Sequence, residues 1–151
     1  TEKQVPLFVK LPPWPRDNEN RDEILKLADT AVDAGVDGLV IANTHPIESN
    51  LLKVGRGGLS GAPLFEHTEL MIADIQARVQ GQAEIIACGG VSTAENVWQL
   101  LATGASAVQL YTSFIYEGPG LPARINKRLV KLMDAEGIKS VSDISGPPPS
   151  I

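Results

Sequence analysis

Residues 84–104, Glu84-Ile85-Ile86-Ala87-Cys88-Gly89-Gly90-Val91-Ser92-Thr93-Ala94-Glu95-Asn96-Val97-Trp98-Gln99-Leu100-Leu101-Ala102-Thr103-Gly104, hold one complete strand–turn–helix unit. Glu84 to Cys88 is a mostly apolar run, and Gly89-Gly90 ends it. Ser92-Thr93-Ala94-Glu95 has the spacing of a capping box, in which the Ser92 hydroxyl accepts a backbone N–H and Glu95 reaches back. The helix it opens runs to about residue 102, and Gly104 terminates it.

The same unit recurs on both sides, so the chain reads as consecutive βα units. Upstream, Val5-Pro6-Leu7-Phe8-Val9-Lys10-Leu11 is a strand that ends in the stiff loop Pro12-Pro13-Trp14-Pro15. A helix over 19–34 follows, with Ile24, Leu25, Leu27, Ala28, Ala31 and Val32 at helical spacing and Gly35 as its stop. Leu39-Val40-Ile41-Ala42 is a continuous apolar strand, as expected when both faces are covered. A long loop spans 43–63, a length that in compact domains marks a functional or mobile segment. A helix over 65–79 turns Leu70, Met71, Ile75 and Val79 inward. Downstream, Ala107-Val108-Gln109-Leu110-Tyr111 is a strand, and Thr112 to Phe114 starts a short extra turn. A last helix covers 121–136, with Ile125, Leu129, Leu132 and Met133 on one face and Gly137 as its stop.

Strand–helix alternation with short connections implies a parallel sheet with right-handed crossovers. A doubly wound open sheet is the rival, but no G-x-G-x-x-G follows the first strand. Glycine and polar signals stand at the C-terminal end of strand after strand, where (β/α)8 barrels carry their chemistry. Eight units close such a barrel; the four here, with phosphate-type signals in the last two, read as its C-terminal half. The expected fold class is therefore α/β, the C-terminal half of a TIM (β/α)8 barrel. Residues 1–144 form the half-barrel, and residues 145–151 a Pro-rich tail expected to be disordered. The chain has 151 residues and opens at Thr1, already near an apolar run. It is expected to be a piece of a longer protein.

Hydrophobic residues make up 43% of the chain, enough for a core. The net charge of −5 argues against nucleic acid as a partner, which wants a basic face. No apolar stretch reaches the length of a membrane span. One cysteine excludes an intrachain disulfide and any multi-cysteine metal site. His45 and His67 are not on one helical turn, so no metal site is expected, and they read as loop or helix-entry residues without visible partners. Cys88, inside a strand, reads as core. Trp98 fits a helix face; Trp14 stands in a loop, against Arg16 or a segment outside the chain.

Several residues can do chemistry. Lys10 lies at the end of the first strand, where a buried ammonium is costly unless an anion meets it; the alternative is that it reaches out to the rim. Asn43-Thr44 directly follows the second strand and can orient a small polar substrate, or can be ordinary turn chemistry. Gly57-Gly58-Leu59-Ser60-Gly61 and Gly89-Gly90 permit a backbone to approach a ligand closely, or only tight turns. Ser92 starts a helix whose free N–H groups can receive an anion. Tyr111-Thr112 follows the last strand, and phosphate sites of barrels are frequently built from the loops after the last two strands.

Five segments stand in order: Phe8-Val9-Lys10-Leu11, Asp37 to Thr44, Gly57 to Leu64, Gly89-Gly90-Val91 and Gly104 to Thr112. Together the chain resembles the C-terminal half of dihydroorotate dehydrogenase from about Pro6 to Gly146. Phe114-Ile115-Tyr116-Glu117-Gly118-Pro119 is similar to the membrane-associated, quinone-using class 2 enzymes. The resemblance implies FMN as cofactor, oxidation of dihydroorotate to orotate in pyrimidine biosynthesis, and electrons passed to a quinone. It implies that Lys10 lies near the flavin pyrimidine ring, where a cation favours the reduced, anionic flavin. Asn43 and Thr44 would bond the substrate. Gly61, Gly90, Tyr111 and Thr112 would hold FMN, the last three around its phosphate. The parent enzyme would be peripherally membrane-associated on the cytoplasmic side, with this chain itself soluble.

The chain departs from the family pattern in three ways. Ala42 stands where many relatives have Thr, the loop from His45 to Arg56 is short, and the family's catalytic Ser lies upstream of these residues. No catalytic base is therefore expected in this chain, and turnover by the chain alone is not expected. Two other readings remain: a different flavin- or phosphate-binding barrel enzyme, and a non-enzymatic half-barrel that self-associates. The exposed edges of a half-barrel imply a homo-oligomer.

Overall fold

The computed structural model describes residues 5–14 and 21–150. Its main sheet has four parallel strands: β1 (Phe8–Lys10), β2 (Gly38–Ile41), β5 (Glu84–Cys88) and β6 (Ala107–Gln109), in the order β1-β2-β5-β6. The order runs along the chain without reversal. A doubly wound sheet reverses at a switch point, so this is the arrangement of a barrel arc. Helices α1 (Arg21–Asp33), α2 (Phe65–Val79), α3 (Ala94–Thr103) and α5 (Leu121–Ala135) follow the four strands and pack in turn, α1 on α2, α2 on α3, α3 on α5. A six-residue helix, α4 (Thr112–Glu117), stands between β6 and α5.

Register and burial separate the two faces of the sheet. Val9 pairs with Leu39, Leu39 with Ile85, and Ile41 with Ala87. These residues, with Val108, belong to or pack against the apolar core under the helices. Alternation puts Phe8, Lys10, Val40, Ile86, Cys88, Ala107 and Gln109 on the other face. No helix covers that face among the described residues, and Phe8, Lys10, Ala107 and Gln109 are exposed. The core therefore lies in one layer, between sheet and helices. Trp98, Leu11, Leu39, Ile41, Ile72, Ile75, Ile85, Leu100 and Leu132 are its largest fully buried members. Each fully buried aliphatic side chain contributes roughly 1.5–3 kcal/mol relative to exposure.

Several expectations need correction. The segment 43–63 is not a plain loop: β3 (His45–Glu48) and β4 (Arg56–Leu59) form an antiparallel hairpin outside the main sheet, and a 3-10 turn covers Ala62–Leu64. Its strands lack an alternating apolar pattern, because Gly57 and Gly58 pack as bare backbone against Leu52 and Thr44. Leu70 is exposed rather than inward, and Ile72 is buried in α2 instead; of the helical stripe on α1, Ile24, Leu25 and Ala28 are buried and Leu27 is exposed. The capping box is shifted by one residue. Thr93 is the N-cap, its hydroxyl accepts from Asn96 N at 3.1 Å, and Asn96 Oδ1 accepts from Thr93 N at 3.2 Å. Ser92 is outside the helix, its N–H also directed at Asn96 Oδ1.

The proposed helix start at Glu19 and the proposed Arg16 contact of Trp14 lie outside the described residues. Trp14 is buried, and the Arg21 guanidinium lies 5.3 Å from its ring centroid. Trp98 does sit on the inner face of α3, and its Nε1 donates to the Gly146 carbonyl at 3.1 Å, which docks the start of the Pro-rich tail. Between helices, Arg78 of α2 binds Asp29 of α1 with both Nε and Nη2, and Arg128 of α5 binds Glu95 of α3 at 2.9 Å.

Candidate functional site

The C-terminal ends of all four sheet strands open on one cavity of about 430 Å³. Lys10 arrives from β1, Asn43 and Thr44 from the end of β2, Gly61 from the hairpin exit, Gly90 from the end of β5, and Tyr111 and Thr112 from the end of β6. All seven residues singled out from the sequence line this cavity. They come from four separate βα units, so their convergence is a product of the fold.

Each position has a local cause. The Ile41–Ala42 peptide is cis, Ala42 N donates to Cys88 O at 2.9 Å, and Asn43 N donates to Leu11 O at 3.1 Å. The strand is thus held by both neighbours up to the point where Asn43 leaves it. Thr44 N then donates to Asn43 Oδ1 at 2.9 Å. That bond takes the acceptor of the amide and leaves its Nδ2 donors for a ligand. Gly61 has φ +83°, and a Cβ there would press on Thr112 Cγ2 at 3.1 Å, so the hairpin exit and the start of α4 meet at this point.

Gly90 has a different reason from the expected one. Its φ is +76°, and a Cβ there would collide with the backbone of Phe65. The glycine lets the end of β5 pass beneath the start of α2; close approach of a ligand is not the primary constraint. Gly89, likewise, has the Thr68 hydroxyl where its Cβ would stand.

Lys10 is exposed, not buried, because it lies on the uncovered face of the sheet. Its Nζ is 3.6 Å from Cys88 Sγ. Cys88 is accordingly a half-buried wall of the cavity and not a core residue. Ser60, Gln109 and Ser113 also line the cavity. Period-two alternation could have found Gln109, which pairs with Cys88 on the same face. Ser113 Oγ donates to Val91 O at 2.5 Å and ties the start of α4 to the loop after β5. Ala42, Leu64, Val91, Leu110, Ile115 and Tyr116 give the cavity its apolar surface.

The anion site expected at Ser92 is not open. At the first turn of α3, Thr93 and Asn96 cap each other's backbone N–H groups, and Glu95 accepts from its own backbone N–H. The Glu95 carboxyl lies below its ordinary range because it accepts from its own backbone N–H and pairs with Arg128, against a smaller opposing effect of burial. By contrast α4, whose first residues line the cavity, has no side-chain cap. Tyr111, Thr112 and Ser113, each with a hydroxyl, stand in sequence at that point and line the cavity.

His45 and His67 do have a partner in each other. Their rings lie 4.6 Å apart at 55°, joining the hairpin base to α2. Among the described residues no group of His, Cys, Asp or Glu is arranged to hold a metal ion. No helix there is long and apolar enough to cross a membrane.

Residues 1–133 match the family model described as dihydroorotate dehydrogenase. The mitochondrial dihydroorotate dehydrogenase (quinone) of Arabidopsis thaliana is 37% identical over 150 residues, covering 96% of this chain and 32% of the plant protein. The dihydroorotate dehydrogenase (quinone) of Agrobacterium fabrum is 38% identical over 147 residues, covering 94% of this chain and 39% of the bacterial one. The crystal structure of the Eimeria tenella enzyme in complex with ferulenol superposes with a TM-score of 0.79 at 37% identity, over 97% of this chain and 39% of that one. The chain thus spans about a third to two fifths of the length of these relatives.

Proposed function

The chain belongs to the dihydroorotate dehydrogenase family, and from that premise we propose that it supplies the FMN-holding part of an enzyme that oxidises dihydroorotate to orotate with a quinone as final acceptor. The observation that carries this reading is the meeting of Lys10, Asn43, Thr44, Gly61, Gly90, Tyr111 and Thr112 at one cavity.

The donor set fits the cofactor. A flat ring system with a phosphate needs an apolar wall, a cation near the ring, and hydroxyls with free backbone N–H groups at the phosphate end. Leu64, Val91, Leu110 and Ile115 offer the first, Lys10 the second, and Tyr111, Thr112, Ser113 and the uncapped start of α4 the third. When bound, FMN would supply the acceptance of electrons from dihydroorotate. The chain's own residues would bind and orient. The Lys10 ammonium would favour negative charge on whatever lies against the uncovered strands. The Asn43 amide donors and the Thr44 hydroxyl would hold a carboxylate or ring carbonyl of the substrate. Gly61, Gly90, Tyr111 and Thr112 would keep FMN seated, the last three at the phosphate. No residue at the cavity is placed as general base. Such a base contributes typically ~10²–10⁴-fold, so we expect binding without turnover from these residues alone. Peripheral membrane attachment would belong to the parent protein.

The test is an FMN titration followed by flavin absorbance and fluorescence. Lys10→Ala and Thr112→Ala should each weaken binding about 10-fold or more, the loss of one charge-assisted or hydroxyl contact. Equal affinity in both variants, with far-UV circular dichroism unchanged, would remove the assignment of this cavity to FMN.

A further inference from the structure

We propose that His45, His67 and Met71 form a binding site for one copper(I) ion, a soft monovalent cation held by two imidazole nitrogens and a thioether. The site lies between the hairpin base and α2, well inside the chain, and none of its three donors lines the flavin cavity. The inference does not rest on the flavin reading.

The first observation is convergence. The chain has two histidines, and their spacing in sequence is not that of a metal pair. The fold nevertheless brings them together, because β3 starts at His45 and α2 carries His67 in its first turn. Their ring centroids are 4.6 Å apart and the rings are tilted by 55°. Two imidazoles that each place a nitrogen about 2 Å from a common ion have centroids about 4.5–5.5 Å apart. The pair therefore has the separation that shared ligation needs. Met71 follows His67 by one helical turn on the same face of α2.

The second observation is the small cavity that all three line. Its volume is about 10 Å³, room for a single ion or water. His45 and Met71 are buried, and His67 Nδ1 is buried without a hydrogen-bond partner. A buried polar atom in that state calls for a bound water or ion. Pro13, Trp14 and Leu64 supply apolar walls, so an occupant sheds most of its hydration.

The donor chemistry selects the ion. Imidazole suits zinc and copper alike, but a thioether is a soft ligand that favours copper(I). The three donors are neutral when bound. Among the described residues no carboxylate or thiolate lines the cavity, so nothing there offsets the charge of a divalent ion. The Arg21 guanidinium, 5.3 Å from the Trp14 ring centroid, adds to that cost. A monovalent ion brings the least charge to be buried. The rival occupant is a water held by His67 with Thr68 or Asn43, which also line the cavity.

A copper(I) titration of the chain under argon, in competition with bicinchoninate, tests this. Cys88→Ser is the background throughout, so that the one thiol of the chain cannot take the ion. One equivalent should bind. Copper(I) is diamagnetic, and the proton NMR signals of both imidazole rings should shift together as it does. Met71→Leu keeps the volume of the core. It should weaken binding about 10-fold, and His45→Gln or His67→Gln about 100-fold or more, with far-UV circular dichroism unchanged. Zinc titrated in the same way should bind more weakly than copper(I). Three results would overturn the proposal: no binding by the folded chain, which leaves the cavity to a water; copper(I) affinity unchanged by either His67→Gln or Met71→Leu; or zinc bound more tightly than copper(I). FMN affinity is read separately, so failure here leaves the flavin assignment standing or falling on its own titration.

Discussion

Replacing Gly90 by Ala separates two costs that a glycine can avoid. The residue has φ +76°, and the methyl group would meet the backbone N and Cα of Phe65 at the first turn of α2. Left-handed backbone costs an L-residue about 1–2 kcal/mol. The collision is with backbone at a helix start, so it can be relieved only by moving α2 or the end of β5, an overpacking cost of about 1–3 kcal/mol. The expected loss is therefore about 2–5 kcal/mol, a large part of the 5–15 kcal/mol typical of a whole domain. Gly137 is the internal control. Its φ is +68°, but nothing lies within 4 Å of the position a Cβ would take. Gly137→Ala should show the backbone cost alone, about 1–2 kcal/mol. Urea unfolding by circular dichroism reads both. With a slope of about 1–3 kcal/mol per molar urea, the midpoint for Gly90→Ala should fall by about 1–2 M. Equal losses in the two variants would show that Phe65 yields freely. The packing explanation of Gly90 would then be wrong, and ligand approach would again be its leading cause.

Other consequences are as direct. Thr93→Ala should cost about 1 kcal/mol of stability as the loss of an N-cap, and Ser92→Ala clearly less; the reverse order in urea midpoints would move the cap back to Ser92. Glu95 has a lowered folded pKa, through its own backbone N–H and Arg128. Its stabilisation is thus present above the unfolded value of about 4.3 and is lost as pH falls through the folded pKa. The stability gap between the parent chain and Glu95→Gln should be widest near neutrality and should close as pH drops below about 4.3; a gap independent of pH would show that the Arg128 pair and the cap do not depend on charge. The effect is small, since both side chains are more than a third exposed.

Much of the architecture was legible because parallel βα units write their periods plainly. The segment 65–79 became α2 and 84–88 became β5 without shift, since a continuous apolar run and a 3.6-residue stripe do not mimic each other over such lengths. The site was legible for the same reason. Once strand ends are located, Lys10, Asn43 and Tyr111 must share one rim. What stayed hidden depended on partners distant in sequence. The β3–β4 hairpin is held by contacts such as Thr44 against Gly58, and Arg56-Gly57-Gly58-Leu59 carries no strand pattern of its own. Adjacent hydroxyls at Ser92 and Thr93 offer two cap registers, and Asn96, not Glu95, decided between them. The exposure of Lys10 and the half-burial of Cys88 follow from the uncovered face of the sheet, which local sequence does not encode.

The strand order β1-β2-β5-β6 also bears on how the chain is made. Synthesis delivers residues from the N-terminus, and in this order every strand after the first emerges next to a partner that has already left the ribosome. No strand has to be held open for one still to come between two earlier neighbours, as reversal of winding would require. The sheet can grow at a single edge, one βα unit at a time, with each new helix closing over the seam just formed.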